Sequence, residues 1–405
     1  MSEKRQVKQK VVVETTPELA FEALTAASEL REWFCDGAWT QVQPAGRYGL
    51  HWNPGYHVEG KFVKLDPPHS AVVTWLGSGE PGETKVKFVV EPQDEAVEVR
   101  VIHKGFGSGE AWDKVLAEAE KGWVTGLENL KSTLETGVDL RVARQPFLGI
   151  LLGGQVDAER AANEGIAVEH GIYVNDTLES SGARAAGLGK GDVIVGLGGA
   201  EILGYQELTD ALRAHQAGDV VEVDLVNGQE RRTVEMTLGQ RPQVEVPESG
   251  EGLAAFVAEQ YKEGDAALKA AIEGIGEAEA EQVPEGQEWS VKDVLAHLSI
   301  SERGGQEYVA SQALNGWLDG GPGNTTAMRG RLEAVKAAAP TVQDLLDRFF
   351  ADEAETLAML RGLPEETLAH KARFYRMTQN LAFASIHTRD HAEQIQTIIA
   401  AVRGE

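Results

Sequence analysis

The first third of the chain alternates apolar and polar residues with a period close to two. A period of two predicts antiparallel strands with one buried face. The strand-like segments read VKQKVVVET, GRYGLHW, HVEGKFVKLD, SAVVTWL, TKVKFVVEP and AVEVRVIH. A long helix follows them, because apolar residues then recur at steps of three and four. We therefore predict an α+β domain over residues 1–139, in which a curved sheet wraps around one helix and leaves a cavity between them.

Four tryptophans of this segment are candidates for lining that cavity. They are Trp33, Trp52, Trp75 and Trp123. Large aromatic side chains also supply much of the buried area of a small domain. Two interpretations therefore remain open: the four rings line a pocket for an apolar ligand, or they form the core.

Three stretches of this domain resemble a known family. TPELAFEALTAASELREWF, GKFVKLDPPHSAVVTWL and GWVTGLENLKSTLETG are similar to the activator-of-heat-shock-protein-90-ATPase-homologue branch of the START-like (SRPBCC) helix-grip fold. The resemblance covers residues 6–137. It implies an apolar ligand pocket or a protein-docking role, and it carries no common catalytic residue. A co-chaperone-like adaptor role rests on this family name alone.

The second segment, residues 144–240, mixes short strands with one amphipathic helix. FLGILL and GIYVNDT predict strands, GYQELTDALRAH predicts a helix, and the Asn227-Gly228 turn predicts a hairpin. The stretch SSGARAAGLGKGDVIVGLGG resembles the core of PDZ domains of the bacterial protease-associated type, which implies a small β-barrel-like fold.

A PDZ domain holds the C-terminal peptide of another protein at a sheet edge, with backbone amides around the peptide's carboxylate. The resemblance places that loop at Phe147, Leu148, Gly149 and Ile150. It places Leu208 and Leu212 along the side-chain groove. The alternative is a PDZ fold that acts only as a spacer.

The third segment, residues 252–405, is helical throughout. Amphipathic patterns predict helices over 252–275, 290–314, 341–363 and 380–403, and a capping box at Ser290 opens the second of them. Four such helices with loops between them predict an antiparallel four-helix bundle.

Histidines on two of these helices suggest a metal site. His387 and His391 are four residues apart and share a stripe with Ile395 and Ile398, which predicts that both rings face the bundle core. His297 lies at the edge of the apolar stripe of the second helix. Three imidazoles that converge suit a borderline divalent metal and leave coordination positions open. The alternative is a buried polar cluster satisfied by Glu302, Gln394 or water.

The stretches EWSVKDVLAHLSISE and ASIHTRDHAEQI resemble the two metal-binding motifs of the DinB-like bundle superfamily. The resemblance covers residues 252–403 and implies a divalent metal ion on these histidines. We expect this ion to be zinc or nickel. Some members of that superfamily are thiol-dependent S-transferases or isomerases.

Candidate catalytic side chains in this segment are few. Glu302 is a candidate base, with a solvated surface position as the alternative, and Tyr375 is a second candidate. Arg373 and Arg376 are predicted to form, with Tyr375, a rim over the metal, and His370 is predicted to lie on the surface.

Charge and cysteine content limit the partners and the cellular location that we expect. The chain has 64 acidic and 38 basic residues, a net charge of −26, which disfavours nucleic acids and anionic membranes as partners. One cysteine, Cys35, excludes an internal disulfide, and no apolar run is long enough to span a membrane. We therefore predict a cytoplasmic, stress-related multidomain metal-binding protein. The alternative is a metal-dependent thiol S-transferase or hydrolase.

Overall fold

The computed structural model describes residues 5–313 and 328–404. The chain folds as two compact units, one formed by residues 1–138 together with 244–405 and the other by residues 139–243. The predicted fold class, α+β domains followed by an all-α region, is confirmed. In the described residues, no helix has both the length and the apolar character that a membrane span requires.

The N-terminal domain is an antiparallel sheet packed on a long helix. The sheet has the strand order β1-β7-β6-β5-β4-β3-β2. The elements, in chain order, are β1 (Gln6–Val13), α1 (Pro17–Thr25), α2 (Ala27–Trp33), β2 (Gly37–Thr40), β3 (Arg47–Trp52), β4 (Tyr56–Asp66), β5 (Ser70–Gly77), β6 (Thr84–Gln93), β7 (Ala96–Lys104) and α3 (Glu110–Thr136).

The predicted alternation of apolar and polar residues accounts for the core of this domain. Val99 and Val101 on β7 and Val86 on β6 are fully buried, and Phe88 on β6 is 1% exposed. Alternate residues of a strand point to the same face, so these side chains form one apolar surface. Leu130 on α3 is also fully buried against it.

The second unit is a small sheet domain. Its main sheet runs β14-β13-β11-β10-β9, so β9 lies at an edge. The elements are α4 (Leu140–Ala143), β8 (Pro146–Phe147), β9 (Ile150–Gln155), α5 (Ala158–Glu164), β10 (Ile172–Thr177), α6 (Gly182–Ala185), β11 (Val193–Leu197), β12 (Ala200–Glu201), α7 (Tyr205–Arg213), β13 (Val220–Asn227), β14 (Glu230–Thr237) and β15 (Gly239–Gln240). The predicted hairpin turn between β13 and β14 is present, with Asn227 opposite Glu230.

The C-terminal region is helical. Its elements are α8 (Gly250–Ala271), α9 (Glu277–Ala280), α10 (Val291–Ala313), α11 (Met328–Ala338), α12 (Val342–Arg361), α13 (Glu365–Ala369), α14 (Lys371–Leu381) and α15 (Ala384–Arg403). The bundle consists of α8, α10, α12 and α15, with α15 packed on α8 and α10 packed on α12. Leu314, the predicted end of the second helix, lies outside the described residues.

Two features of the bundle differ from the prediction. The helix α14 is absent from the prediction, because its many polar residues hide a buried stripe of Phe374, Met377 and Leu381. The last helix begins at Ala384 rather than at residue 380. The short break between α14 and α15 allows the two helices to pack on different neighbours.

Candidate metal centre and peptide groove

Three imidazoles from two helices converge at one end of the bundle. The Nε2 atom of His387 lies 3.4 Å from Nε2 of His297 and 3.1 Å from Nε2 of His391. One ligand atom from each ring lies within 4.8 Å of the others. The helix α10 supplies His297 and α15 supplies the other two, which are one helical turn apart.

Local contacts set the start of α10 and the distance between α8 and α15. The predicted capping box is present: Asp293 accepts a 3.1 Å hydrogen bond from the Ser290 amide, and the Ser290 hydroxyl accepts one of 3.1 Å from the Asp293 amide. On the other side, Gly264 of α8 faces Thr388 of α15. A Cβ at Gly264 would lie 2.9 Å from the Thr388 Cβ, so the glycine allows the close approach of these helices.

The prediction that both rings of α15 face the bundle core is wrong for His387, although Ile395 and Ile398 of the predicted stripe are fully buried. His387 is exposed and His391 is only partly buried. The buried stripe passes through Thr388 and Ala392, which lie about 100° around the helix from the preceding histidines. The apolar pattern misled the assignment because part of the core-facing stripe is made of small or polar residues. The histidines therefore lie at the solvent edge of the bundle.

All three imidazoles favour the neutral form. Partial desolvation, together with the neighbouring imidazoles, lowers the pKa of His297 to about 4. Partial desolvation and His391 lower the pKa of His387 to about 4. Burial also lowers the pKa of His391. Neutral imidazole is the form that binds a metal ion.

Contacts around the rings orient the donor atoms. Nδ1 of His391 lies 2.7 Å from Oε1 of Gln394, so Nδ1 carries the proton and Nε2 presents a lone pair to the other two rings. Trp289 packs on His297 at 4.8 Å between ring centroids and stacks on His391 at 6.2 Å. The prediction missed this tryptophan, although it lies in the stretch EWSVKDVLAHLSISE that suggested the site.

The donor set fits a divalent metal ion. Two nitrogens on one tetrahedral zinc, each about 2.05 Å from the metal, are about 3.3 Å apart. The two separations that involve His387, 3.1 and 3.4 Å, are on either side of this value. Neutral imidazole also donates from one ring nitrogen, so the same separations allow hydrogen bonds among the three rings.

Glu302 lies elsewhere in the bundle. Its Oε1 accepts hydrogen bonds from the hydroxyls of Tyr261, at 2.6 Å, and Thr356, at 2.5 Å. Burial raises the pKa of Glu302, against the effect of these two hydrogen bonds. The interpretation as a solvated surface residue is therefore wrong, and the contacts of Glu302 do not include the histidines.

The predicted rim over the metal is also wrong. Arg373 pairs with Glu29, and Arg376 makes a bidentate pair with Glu32 at 2.7 and 2.8 Å. Both carboxylates belong to α2 of the N-terminal domain. The arginines point there because two buried carboxylates need cationic partners.

His370 and Tyr375 belong to the same interface. Nδ1 of His370 lies 3.5 Å from Glu29, and only 7% of the His370 side chain is exposed, so its predicted surface position is wrong. Tyr375 packs beside Gly137, where a Cβ would lie 2.6 Å from the Tyr375 Cβ. The Tyr375 hydroxyl accepts a hydrogen bond from Gln379.

The six residues predicted to bind a peptide line one groove of about 230 Å³ in the second unit. They are Phe147, Leu148, Gly149, Ile150, Leu208 and Leu212. Gly149 adopts φ 77°, and a Cβ there would lie 2.2 Å from the Ser181 Cβ, so the loop before β9 requires glycine. The groove also contains Arg213 and Arg241, which the prediction missed.

The four predicted pocket tryptophans form one aromatic cluster around Phe34. The Phe34 ring lies 4.6 Å from Trp33, 5.1 Å from Trp123, 5.2 Å from Trp52 and 6.4 Å from Trp75. Three of the tryptophans are buried and Trp52 is partly buried. Since Phe34 occupies the space between the rings, the arrangement favours the core interpretation, and a ligand role stays a prediction.

The chain is similar to known families in three separate parts. The family model for Activator of Hsp90 ATPase homolog 1-like protein matches residues 14–135. The PDZ domain model matches residues 137–238, and the DinB superfamily model matches residues 260–395. The three resemblances predicted from the sequence are thus confirmed. The domain limits 1–139, 144–240 and 252–405 stay predictions.

Two curated relatives match part of the chain. The periplasmic pH-dependent serine endoprotease DegQ of Escherichia coli K12 is 29% identical over 101 residues, 25% of this chain and 22% of the relative. The probable periplasmic serine protease do/HhoA-like of Haemophilus influenzae is 28% identical over 95 residues, 24% of this chain and 20% of the relative. The chain thus spans about a fifth of the length of each relative.

Solved structures resemble about a third of the chain. The Aha1 dimer from Colwellia psychrerythraea is 21% identical, with a TM-score of 0.29, over 32% of this chain and 96% of that one. Protein MLL2253 from Mesorhizobium loti is also 21% identical, with a TM-score of 0.30 and the same coverage.

Proposed function

We propose that this chain is a multidomain binding protein whose helical domain holds one divalent metal ion, zinc or nickel, on His297, His387 and His391. The convergence of three neutral imidazole nitrogens carries the proposal. Imidazole suits both metals, and nitrogen separations near 3.3 Å suit one shared ion. The match to the DinB superfamily over residues 260–395 supports it.

The other two domains supply binding surfaces in this proposal. The middle domain takes a peptide C-terminus along β9, supported by the PDZ match and by the apolar groove. The N-terminal domain docks a protein or an apolar ligand, supported by its own family match. A cytoplasmic location and a stress-related role stay predictions, and the two proteases similar to the middle domain are named periplasmic.

Elemental analysis of the purified full chain tests the metal proposal. We expect about one equivalent of zinc or nickel per chain, and its loss in the double variant His387→Ala/His391→Ala. His69→Ala is the matched control, because His69 is an exposed histidine of the N-terminal domain. A chain that holds no divalent metal and takes none up on dialysis would refute the proposal.

The exposure of His387 favours a second candidate function, a metal-dependent thiol S-transferase or hydrolase. Because this ring lies at the solvent edge, a metal held there is open to a further ligand. A metal with three protein ligands lowers the pKa of a bound water or thiol. Turnover that the double variant loses, with its circular dichroism spectrum unchanged, would support an enzyme. A lower melting temperature as the sole effect would indicate a structural metal.

A further inference from the structure

We propose that Arg241 makes the groove of the middle domain selective for a free, negatively charged peptide C-terminus. This role rests on the proposed peptide binding and adds a specificity-determining residue to it. The occupant is a peptide with an apolar last residue, whose α-carboxylate contacts the Arg241 guanidinium.

The charges at the groove differ from those of the chain. The described residues that line it include Arg213 and Arg241 and no carboxylate, although acidic residues outnumber basic ones by 64 to 38 in the sequence. The remaining lining is largely apolar. An apolar groove with a cationic margin complements a ligand that ends in an apolar side chain and a carboxylate.

The two arginines are not equivalent. Nη1 of Arg213 lies 2.9 Å from a carboxylate oxygen of Asp210 one turn earlier on α7, so its charge is partly compensated. Arg241 has no ion pair among the residues described. Its guanidinium lies over the ring of Phe147, 5.5 Å from the centroid, a contact that holds the side chain beside the groove without neutralising it.

The sheet places Arg241 at one end of the groove. The pairing of Gly239 with Phe147 joins β15 to β8, and Arg241 follows β15 directly. Its side chain lines the groove together with Gly149 of the loop that leads into β9.

Strand direction brings the peptide carboxylate to the same end. The edge strand β9 begins at Ile150 and pairs with β10 on its other side. A peptide that adds antiparallel to β9 has its C-terminus at the beginning of β9, because antiparallel strands run in opposite directions. That position is the loop beside Arg241, so the terminal carboxylate and the uncompensated guanidinium meet.

Fluorescence anisotropy on the full chain tests the role of Arg241. The probes are fluorescein-labelled octapeptides that end in leucine, valine, isoleucine or phenylalanine, each made as the free acid and as the C-terminal amide. We expect Arg241→Gln to weaken free-acid binding about tenfold, the effect of one charge-assisted hydrogen bond, and to leave amide binding unchanged. Arg241→Lys should retain part of the affinity, because it keeps the charge and loses the planar group.

Two matched variants serve as comparisons for Arg241→Gln. Arg213→Gln should weaken free-acid binding less than Arg241→Gln, because Asp210 already compensates Arg213. Arg231→Gln removes a charge from exposed β14, away from the groove lining, and should have no effect. Equal weakening of acid and amide by Arg241→Gln, or no weakening, overturns the inference while peptide binding stands. Failure of the wild-type chain to bind any probe overturns the proposed peptide binding and the inference with it.

Discussion

The C-terminal helices place histidine in two contrasting surroundings. His297, His387 and His391 face one another at the solvent edge of the bundle. His370, at the start of α14, is buried against the carboxylate of Glu29 and near Glu22. The first site brings neutral imidazole nitrogens together with no carboxylate among them. The second site places an imidazole among acidic and basic side chains.

The difference distinguishes a candidate metal-ligand set from a structural cluster of charged side chains. Among the imidazoles, protonating one ring is disfavoured by burial and by its neighbours, so lone pairs stay available. At the α2–α14 interface, burial alone would raise the pKa of Glu29, but the hydrogen bond from His370 and the charge of Arg373 hold it at about 2. That interface keeps its charges and uses them to join two domains.

The largest expected effect is on metal content, which should differ between variants of the two histidine sites. His391→Ala should abolish stoichiometric metal binding, because two remaining imidazoles form an incomplete set. His370→Ala should retain about one metal per chain, because His370 lies in the other cluster. Elemental analysis of both variants measures this. Equal metal loss in both would contradict the separation of the two sites.

Breaking the interface should reduce stability by about 3–5 kcal/mol, the cost of removing one partner from a buried ion pair. Arg373→Met leaves the Glu29 carboxylate without its arginine, and urea unfolding measures the loss. The double variant Arg373→Met/Glu29→Leu should recover much of it, since no uncompensated charge remains. Arg389→Met, at an exposed arginine of α15, is the control. A cost below about 1 kcal/mol, typical of surface pairs, would show that the pair is solvated.

Acid should weaken the interface through Glu29. Its pKa is lowered from 4.5 to about 2 in the folded chain, so its contribution is complete above pH 4.5 and is lost as the pH falls towards 2. The shift corresponds to about 3 kcal/mol. The difference in unfolding free energy between the wild type and Glu29→Gln isolates this group. A difference that grows as the pH falls would reverse the expected sign.

The smallest expected effect concerns the orientation of His391. Gln394→Leu removes the acceptor for Nδ1–H and should lower metal affinity about 10- to 100-fold, as other contacts behind metal ligands do. Gln396→Leu, at an exposed position of the same helix, should leave affinity unchanged. Competition with a chromogenic chelator measures both variants. Equal affinities would mean that Gln394 does not orient the ring.

Periodicity predicted the regular parts of the molecule well. Alternation identified the strands of the N-terminal domain because each has one buried face, as the fully buried Val99 and Val101 illustrate. The pairing of His297 with His387 and His391 was also predictable, since helical spacing and two motifs point to the same three residues. The six groove residues were predicted by motif order, and the structure brings them together.

Long-range partners were not predictable in the same way. Arg373 and Arg376 are residue types typical of a helix surface. The position of α2 alone reveals that Arg373 is buried against Glu29 and that Arg376 is half-buried against Glu32. Likewise, Glu302 is partly buried because Tyr261 and Thr356 come from two other helices. Local pattern carries no information about such distant contacts.

The ion pair between Glu29 and Arg373 also bears on the order in which the chain folds. Its partners are 344 residues apart in sequence, so a ribosome releases α2 long before α14 exists. Until then, the carboxylates of α2 have water instead of arginine as their partner. Closing so long a loop is slow. We therefore expect this docking to be a late step of biosynthesis, completed only after α14 has been synthesised.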